Sequence, residues 1–268
     1  MHSSNTLPSI LMIGCGHMGK AMLKSWLDHH LPPSVIVNRS TFSLPSPHRL
    51  VSSIDDIPAD CNPDVIVLAI KPHQAKEVTP ALKKWANKAL FISVLAGKTL
   101  EGLGEQLGKD AAIMRVMPNT PVEIGKGMIS AIANQHVTSQ QRKIGESLLH
   151  TMGQVAWLDA EEQMDAAAAI AGSGPAYVFL LAELLQNAAE EQGLSHDLAK
   201  QLARQTVIGS AALLANTSKE SSQLRQEIAT PNGMTERALN VLMEKKAWPD
   251  AMSKAITAAT KRSKEMAS

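Results

Sequence analysis

An α/β protein is predicted, with a doubly wound parallel sheet in the N-terminal half and an all-α domain after it. Three observations carry that expectation. Short β-rich runs alternate with helical patterns between Ile10 and Leu158, the order that builds parallel sheets covered by helices. The run from Asp64 to Ile70 is apolar after its first residue, as in a strand buried on both faces. Beyond about Glu161 such runs cease and Ala-rich helical patterns take over. The expected division is 1–160 for the sheet domain and 161–268 for the helical one.

Each element has its own signal. Ile10–Ile13 is an apolar run, β-branched at both ends, that stops at a glycine. From Met18 the pattern turns helical: Met18, Met22 and Trp26 recur every four residues, with Leu23 and Leu27 beside them. Val35–Val37 is a second short strand and Asp64–Ile70 the central one. Pro72 is tolerated in a first helical turn, where its missing N–H is not needed, and starts a helix running toward Trp85. Ala89–Leu95 and Ile113–Met117 are further strands, the latter closed by Pro118. Met128–Ala133 and Val155–Leu158 add edge strands around a helix over Ser139–Thr151. In the second half, Pro175 to Gln192 reads as one long helix ended by Gly193. Ser195 caps the next, which continues to about Asn216. Ser221–Ile228, Thr235–Lys245 and Pro249–Lys264 supply three more.

The stretch from Ala166 to Ala182 has no charge, but it is short for a membrane span and holds Pro175 near its middle. It reads as a buried helix pair broken at Gly172–Pro175, with no membrane role. Many helical faces in this half carry apolar residues on more than one side, which predicts packing against another chain.

Composition narrows the function classes. With 268 residues, 44% of them apolar, a net charge of +1 and 3% aromatics, the chain reads as a globular protein filled by Ala, Leu, Ile, Val and Met. It has no basic field and few stacking platforms for nucleic acid. Cys15 and Cys61 fit no metal or redox spacing and read as cytosolic thiols. Met1–Ser9 has no apolar core of a signal peptide, and a cytoplasmic location is expected. No metal site is expected either: His29 and His30 are adjacent, so on a helix their side chains diverge.

Gly14, Gly16 and Gly19 fit G-x-G-x-x-G, enclosing Cys15, His17 and Met18. The run follows a strand and opens an amphipathic helix, the context that a dinucleotide site requires. The first glycine permits the turn, the second lets backbone approach the pyrophosphate, and the third allows close helix–sheet packing. An acid at the end of the second strand would bind a ribose 2′-hydroxyl; here Asn38, Arg39 and Ser40 stand instead. Arg39 and Ser40 are suited to a 2′-phosphate, so NADP(H) is expected as the preferred cofactor, with NAD(H) as the alternative. Lys71, at the carboxyl end of the central strand, lies where ligands sit in such sheets. Ala96 and Gly97, after the next strand, offer a small floor for the nicotinamide ring.

Late in the helical half, Thr230-Pro231-Asn232-Gly233-Met234-Thr235 interrupts the pattern and opens a helix. Two hydroxyls flank backbone N–H groups at the mouth of that helix, a place that suits a carboxylate. The two ends of the chain together point to a cofactor and a small anionic substrate.

The segments Gly14–Gly19, Ala69–Pro72, Met117–Pro121, Gly172–Tyr177 and Thr230–Thr235 occur in an order that resembles the pyrroline-5-carboxylate reductases over nearly the whole chain. The Gly-Ser-Gly-Pro-Ala-Tyr run and the late Pro-x-Gly-x-Thr turn are its specific parts. The resemblance implies reduction of the imine L-1-pyrroline-5-carboxylate to L-proline with NAD(P)H, the last step of proline synthesis. It implies a Rossmann-like domain followed by a helical domain that interlocks two subunits, with the active site at that homodimer interface and higher assemblies up to a decamer. It extends the cofactor-binding set to Ala69, Ile70, Pro72 and Asn119. Two departures stand out. The family's late turn is usually Ser-Pro-Gly-Gly-x-Thr, where this chain has Thr230 and Asn232. Where the family often has a glutamate upstream of that turn, this chain has Ser218, with Glu220 two places on.

The resemblance implies roles for four residues of the turn. Thr235 hydrogen-bonds the ring nitrogen as the catalytic contact. The backbone N–H groups of Gly233, Met234 and Thr235, with Thr230, hold the carboxylate, and Ser218 and Glu220 complete the substrate contacts. A protonated imine already accepts hydride, so no strong acid is required and positioning carries the rate. An alternative is a β-hydroxyacid-dehydrogenase-like NADP oxidoreductase. Such enzymes need a lysine base in the long helix, whereas Ile144 to Ala199 contains no Lys or Arg. A second alternative is a non-enzymatic NADP-sensing protein that keeps the fold, supported by the altered late turn.

Overall fold

The computed structural model describes residues 6–267; the first five residues of the Met1–Ser9 stretch lie outside it. The described residues form two compact units, one running up to Ser173 and rejoined from Thr260 on, the other Gly174–Ala259. The first unit runs to Ser173, past the expected 160, because the turns that follow Glu161 pack on the sheet.

The first unit is built on eight strands in the order β3-β2-β1-β4-β5-β6-β7-β8. They are β1 (Ile10–Ile13), β2 (Val35–Val37), β3 (Arg49–Val51), β4 (Val65–Leu68), β5 (Leu90–Ser93), β6 (Ile113–Met117), β7 (Gly127–Ala133) and β8 (Gly153–Trp157). β1 to β6 are parallel, β7 runs antiparallel to β6, and β8 is parallel to β7. β1 pairs with β2 on one side and β4 on the other, which makes its carboxyl end the point where strand order reverses.

Alternation along the strands divides the core between two faces. Ile10 and Met12 of β1 join Val65, Val67, Leu90, Ile92 and Met114 in one cluster. Over it lie Met22, Leu23 and Trp26 of α1 (His17–Asp28). Leu148, Leu149 and Met152 of α4 (Ser139–Met152) complete it. Trp26 donates its Nε1–H to the Leu148 carbonyl at 3.0 Å. Leu11, Ile13, Ile66, Leu68, Phe91 and Ile113 form the opposite cluster. It is covered by Leu82 of α2 (Ala75–Leu82) and by Leu103 and Leu107 of α3 (Leu100–Leu107).

The expected strands and sheet-domain helices are present, with some differences; β7, expected at an edge, lies inside the sheet between β6 and β8. The helix from Pro72 toward Trp85 is broken into a 3-10 turn, α2 and a second 3-10 turn; Pro80 inside α2 removes one of its backbone donors. β3 and α3 have no counterpart among the expected elements. The 3-10 segment Thr120–Ile124 also precedes β7.

After β8 come α5 (Gln163–Ala167), a π turn over Ala168–Gly172 and α6 (Gly174–Glu191). The π turn ends at Gly172 and Ser173 is a turn residue before α6, so the helical run is interrupted within the expected Gly172–Pro175 break. Pro175 falls in the first turn of α6, where no intrahelical donor is needed. Apart from Ala169, the side chains of this stretch are not buried in one chain: Phe179 is 67% exposed, and Val178 and Leu180 are also exposed. Among the described residues, Gln163–Glu191 is the one helical stretch long and apolar enough by composition to cross a membrane.

The remaining helices are α7 (His196–Ala215), α8 (Ser221–Ile228), α9 (Met234–Leu242) and α10 (Trp248–Ala267). Gly193, in the left-handed region at φ 89°, closes the hairpin between α6 and α7, with the Leu194 N–H donated back to Ala189. Ser195 occupies the N-cap of α7, but its side chain makes no capping hydrogen bond.

Candidate active site

The three glycines of the first loop have three distinct surroundings. Gly14 has φ 84°, and a Cβ there would sit 2.7 Å from both the Ala69 carbonyl oxygen and the Ile70 Cγ2. Its N–H is donated to Val37 at 2.8 Å, so β1, β2 and the end of β4 converge on it. A Cβ on Gly19 would come 2.9 Å from Met12 Cε, which is the close approach of α1 to the sheet. A Cβ on Gly16, by contrast, would meet no atom within 4 Å. Gly16 is the exposed N-cap of α1, with no acidic residue in the first helical turn. A helix whose first amides lack intrahelical partners, behind an open glycine, fits a pyrophosphate.

Asn38 acts differently from the contact expected of it. Its Oδ1 accepts the Cys15 N–H at 3.0 Å, and its Nδ2 donates to the Ser40 carbonyl at 2.7 Å. The carboxamide thereby splints the glycine loop to the turn after β2 and holds Arg39 and Ser40, both exposed, beside it. His17 and Met18 occupy the first turn of α1. Lys71 is exposed at the end of β4, and its N–H is donated to Gln74 Oε1 at 3.1 Å as Pro72 begins the 3-10 turn. Ala96 and Gly97 form a turn after β5, with Gly97 at φ 71° and the Lys98 N–H closing back on Leu95 at 3.3 Å.

Asn119 is a structural pin. Its Nδ2 donates to Ala171 at 2.9 Å, and its Oδ1 accepts the Met128 N–H at 2.9 Å. Each end of this buried carboxamide already has a partner within the protein.

Cys15 lies under the loop, 2% exposed. Burial raises its thiol from the ordinary 9.0 to about 11, against the opposing pull of Lys20. The thiolate is the reactive form, so iodoacetamide near neutral pH should leave Cys15 unlabelled in the native chain and label it on unfolding. Because the folded thiol keeps its proton longer than the unfolded one, this group's share of stability is lost as pH rises from 9.0 to about 11. Rapid native labelling of Cys15 would contradict the packing.

In the second unit, the turn before α9 takes the shape its sequence suggests. Asn232 has φ 58°, a left-handed conformation that asparagine adopts more readily than most residues. A Cβ on Gly233 would overlap the Thr230 Oγ1, which accounts for glycine there. The Gly233 N–H is already donated to the Thr230 carbonyl at 2.9 Å; this corrects its expected place among the carboxylate donors. The amides of Met234 and Thr235, in the first turn of α9, have no intrahelical partner. Met234 is 92% exposed and Thr235 half-buried. Glu236, absent from the expected set, accepts the Asn232 N–H on Oε2 at 2.8 Å and holds the turn in shape. Ser218 and Glu220 are exposed in the α7–α8 region. Glu220 is the N-cap of α8, its N–H donated to Gln223 Oε1 at 3.0 Å.

Two further residues escaped the sequence reading. Arg115 in β6 is 4% exposed and donates from Nη1 to Glu161 Oε1 at 2.7 Å. The same oxygen accepts the Leu100 N–H at 2.9 Å. The signal was a charged residue inside an apolar strand, which demands a partner.

Comparison with known proteins bears on both units. Residues 161–266 match the family model described as pyrroline-5-carboxylate reductase dimerisation, and residues 9–97 match that described as NADP oxidoreductase, coenzyme F420-dependent. The pyrroline-5-carboxylate reductase of Pseudomonas aeruginosa is 33% identical over 97% of this chain and 97% of its own length. The chain belongs to the pyrroline-5-carboxylate reductase family. Within this family of oxidoreductases, its helical part is the dimerisation domain. The pyrroline-5-carboxylate reductase structure from Coxiella burnetii superposes with a TM-score of 0.90 at 35% identity, covering 98% of this chain and all (100%) of that one. The Plasmodium falciparum pyrroline carboxylate reductase, solved with NADP bound, gives 0.85 at 31% identity, covering 97% and 98% of the two chains.

Proposed function

We propose that this chain catalyses hydride transfer from NADPH to L-1-pyrroline-5-carboxylate and releases L-proline, in the cytoplasm. The observation that carries the reading is the full-length likeness to named reductases of this substrate. The open amides at the start of α9 support it.

NADPH, when bound, supplies the hydride; the chain's residues bind and orient. Gly16 admits the pyrophosphate to the first amides of α1, at His17 and Met18. Arg39 and Ser40 take the 2′-phosphate, with Lys71 and the Ala96-Gly97 turn serving the rest of the cofactor. The Met234 and Thr235 amides and the Thr230 hydroxyl hold the substrate carboxylate. Thr235 Oγ1 accepts a hydrogen bond from the protonated ring nitrogen, and Ser218 and Glu220 border the substrate. Residues 161–268 act as the dimerisation and substrate domain, and the apolar face of Gln163–Glu191 is given to a second copy of the chain rather than to lipid. Assembly to a decamer is the extended form of this self-association.

The test is the loss of NADPH absorbance with pyrroline-5-carboxylate, with proline identified as product. Turnover of a β-hydroxyacid with NADP+, and none of the imine, would favour the dehydrogenase reading instead. Arg39→Asp should raise the KM for NADPH roughly ten- to a hundredfold, the loss of one charge-assisted contact of about 1.5–3 kcal/mol, and leave the KM for NADH unchanged or lower. An unaltered NADPH KM would remove Arg39 from the site.

A further inference from the structure

We propose that Arg115 and Glu161 are positioning residues for the nicotinamide end of the cofactor, acting through the turn after β5. The inference rests on the assignment of the Ala96-Gly97 turn to that end. The turn lies between two fixed points. At its start, Ser93 of β5 stands in register with Arg115 of β6. At its end, Thr99 caps α3 by accepting the Gly102 N–H at 3.1 Å. The next donor, the Leu100 N–H, leaves α3 altogether and goes to Glu161 Oε1, the oxygen that also takes Arg115 Nη1. One carboxylate oxygen thus ties the loop to the middle of a buried strand.

Stability alone does not account for this arrangement. Arg115 Nε is buried without a protein partner, and a pair so placed loses much of its Coulombic gain to desolvation. Well-packed apolar residues often replace buried ion pairs with no loss of stability. They could not, however, fix the Leu100 amide. What the pair supplies is the placement of the 94–99 turn, and small displacements of a positioning element are costly to rate.

The test compares Arg115→Met, Glu161→Gln and the double variant Arg115→Met/Glu161→Leu. Binding of NADP+ and of 2′-phospho-ADP-ribose, which lacks the nicotinamide, is measured by calorimetry. Arg115→Met and the double variant should bind NADP+ about tenfold more weakly and the fragment as the parent does. Their kcat should fall roughly ten- to a hundredfold with an enlarged primary isotope effect from 4-deuterated NADPH. Glu161→Gln keeps an acceptor for both donors and should retain at least about a third of kcat. The decisive case is the double variant, whose melting temperature should match or exceed that of Arg115→Met while kcat stays low. Recovery of kcat together with melting temperature, or equal loss of both ligands, would overturn the proposal. The binding arms stand even if the imine proves not to be the substrate, since that failure would appear in the parent's turnover alone.

Discussion

Gly14→Ala is expected to cost both fold stability and cofactor binding, whereas Gly16→Ala costs binding alone. The two glycines are two residues apart and chemically identical, so the contrast isolates their surroundings. At Gly14 an L side chain must hold φ 84°, a penalty of about 1–2 kcal/mol. Its methyl group must also displace the Ala69 carbonyl and Ile70, 2.7 Å away, an overpacking cost of about 1–3 kcal/mol. The sum, roughly 2–5 kcal/mol, should lower the melting temperature by roughly 5–15 °C for a chain of this size. NADP+ affinity should fall at least about a hundredfold, because the loop carries the first amides of α1 with it. At Gly16 the added methyl group meets no protein atom within 4 Å. The melting temperature of Gly16→Ala should therefore stay within about 2 °C of the parent. The same methyl group stands where the pyrophosphate approaches the backbone, and NADP+ affinity should fall about tenfold or more. Thermal denaturation and calorimetry on the two variants read this directly. Unchanged NADP+ binding by Gly16→Ala would show that the cofactor does not approach there.

The second large effect is expected at the mouth of α9. Thr235→Ala should lower kcat/KM for the imine by roughly ten- to a hundredfold, corresponding to one hydrogen bond to a charged group of about 1.5–3 kcal/mol. NADP+ affinity should be unchanged. Alanine is a better helix former than threonine, so α9 itself should not weaken, and Thr235→Ser should restore most of the loss. Met234→Pro removes a single amide donor instead. Met234 is the first residue of α9 and its side chain is almost fully exposed. Proline is tolerated at that position, and the extended Gly233 before it suits the requirement for a residue that precedes proline. The expected result is a raised KM for the imine with a smaller change in kcat. Variants of both residues with parental kcat/KM would refute the carboxylate-and-nitrogen arrangement.

What was legible in the sequence follows from where each signal resides. β1, β4 and α1 announce themselves because burial on both faces, or along one stripe, leaves a periodic apolar pattern. β3 does not: three residues at the sheet edge, Arg49–Val51, sit in a stretch rich in Pro and Ser. α3 is masked by Gly102 and Gly104, which lower its helix propensity, although Leu100, Leu103 and Leu107 keep the helical spacing and Thr99 caps it. For α6 the apolar residues on more than one face pointed to a partner chain, but composition could not say which of them the fold itself would leave exposed, because a buried core helix has the same composition. Within the site, residue type located the glycine loop and the α9 turn. It could not reveal which polar groups were already engaged. Asn38 and Asn119 look like ligand contacts in sequence, yet their carboxamides bind Cys15, Ser40, Ala171 and Met128. Gly233 gives its amide to Thr230. Such pairings join residues up to 52 positions apart and emerge only when the fold brings them together.

A crystal structure of the chain with NADP+ and a non-reactive proline analogue would test the central claim most directly. The carboxylate of the analogue should accept the Met234 and Thr235 N–H groups, with its ring nitrogen in hydrogen-bonding distance of Thr235 Oγ1. An analogue whose carboxylate lies on other donors, with the amides at the start of α9 bound to nothing but solvent, would contradict it.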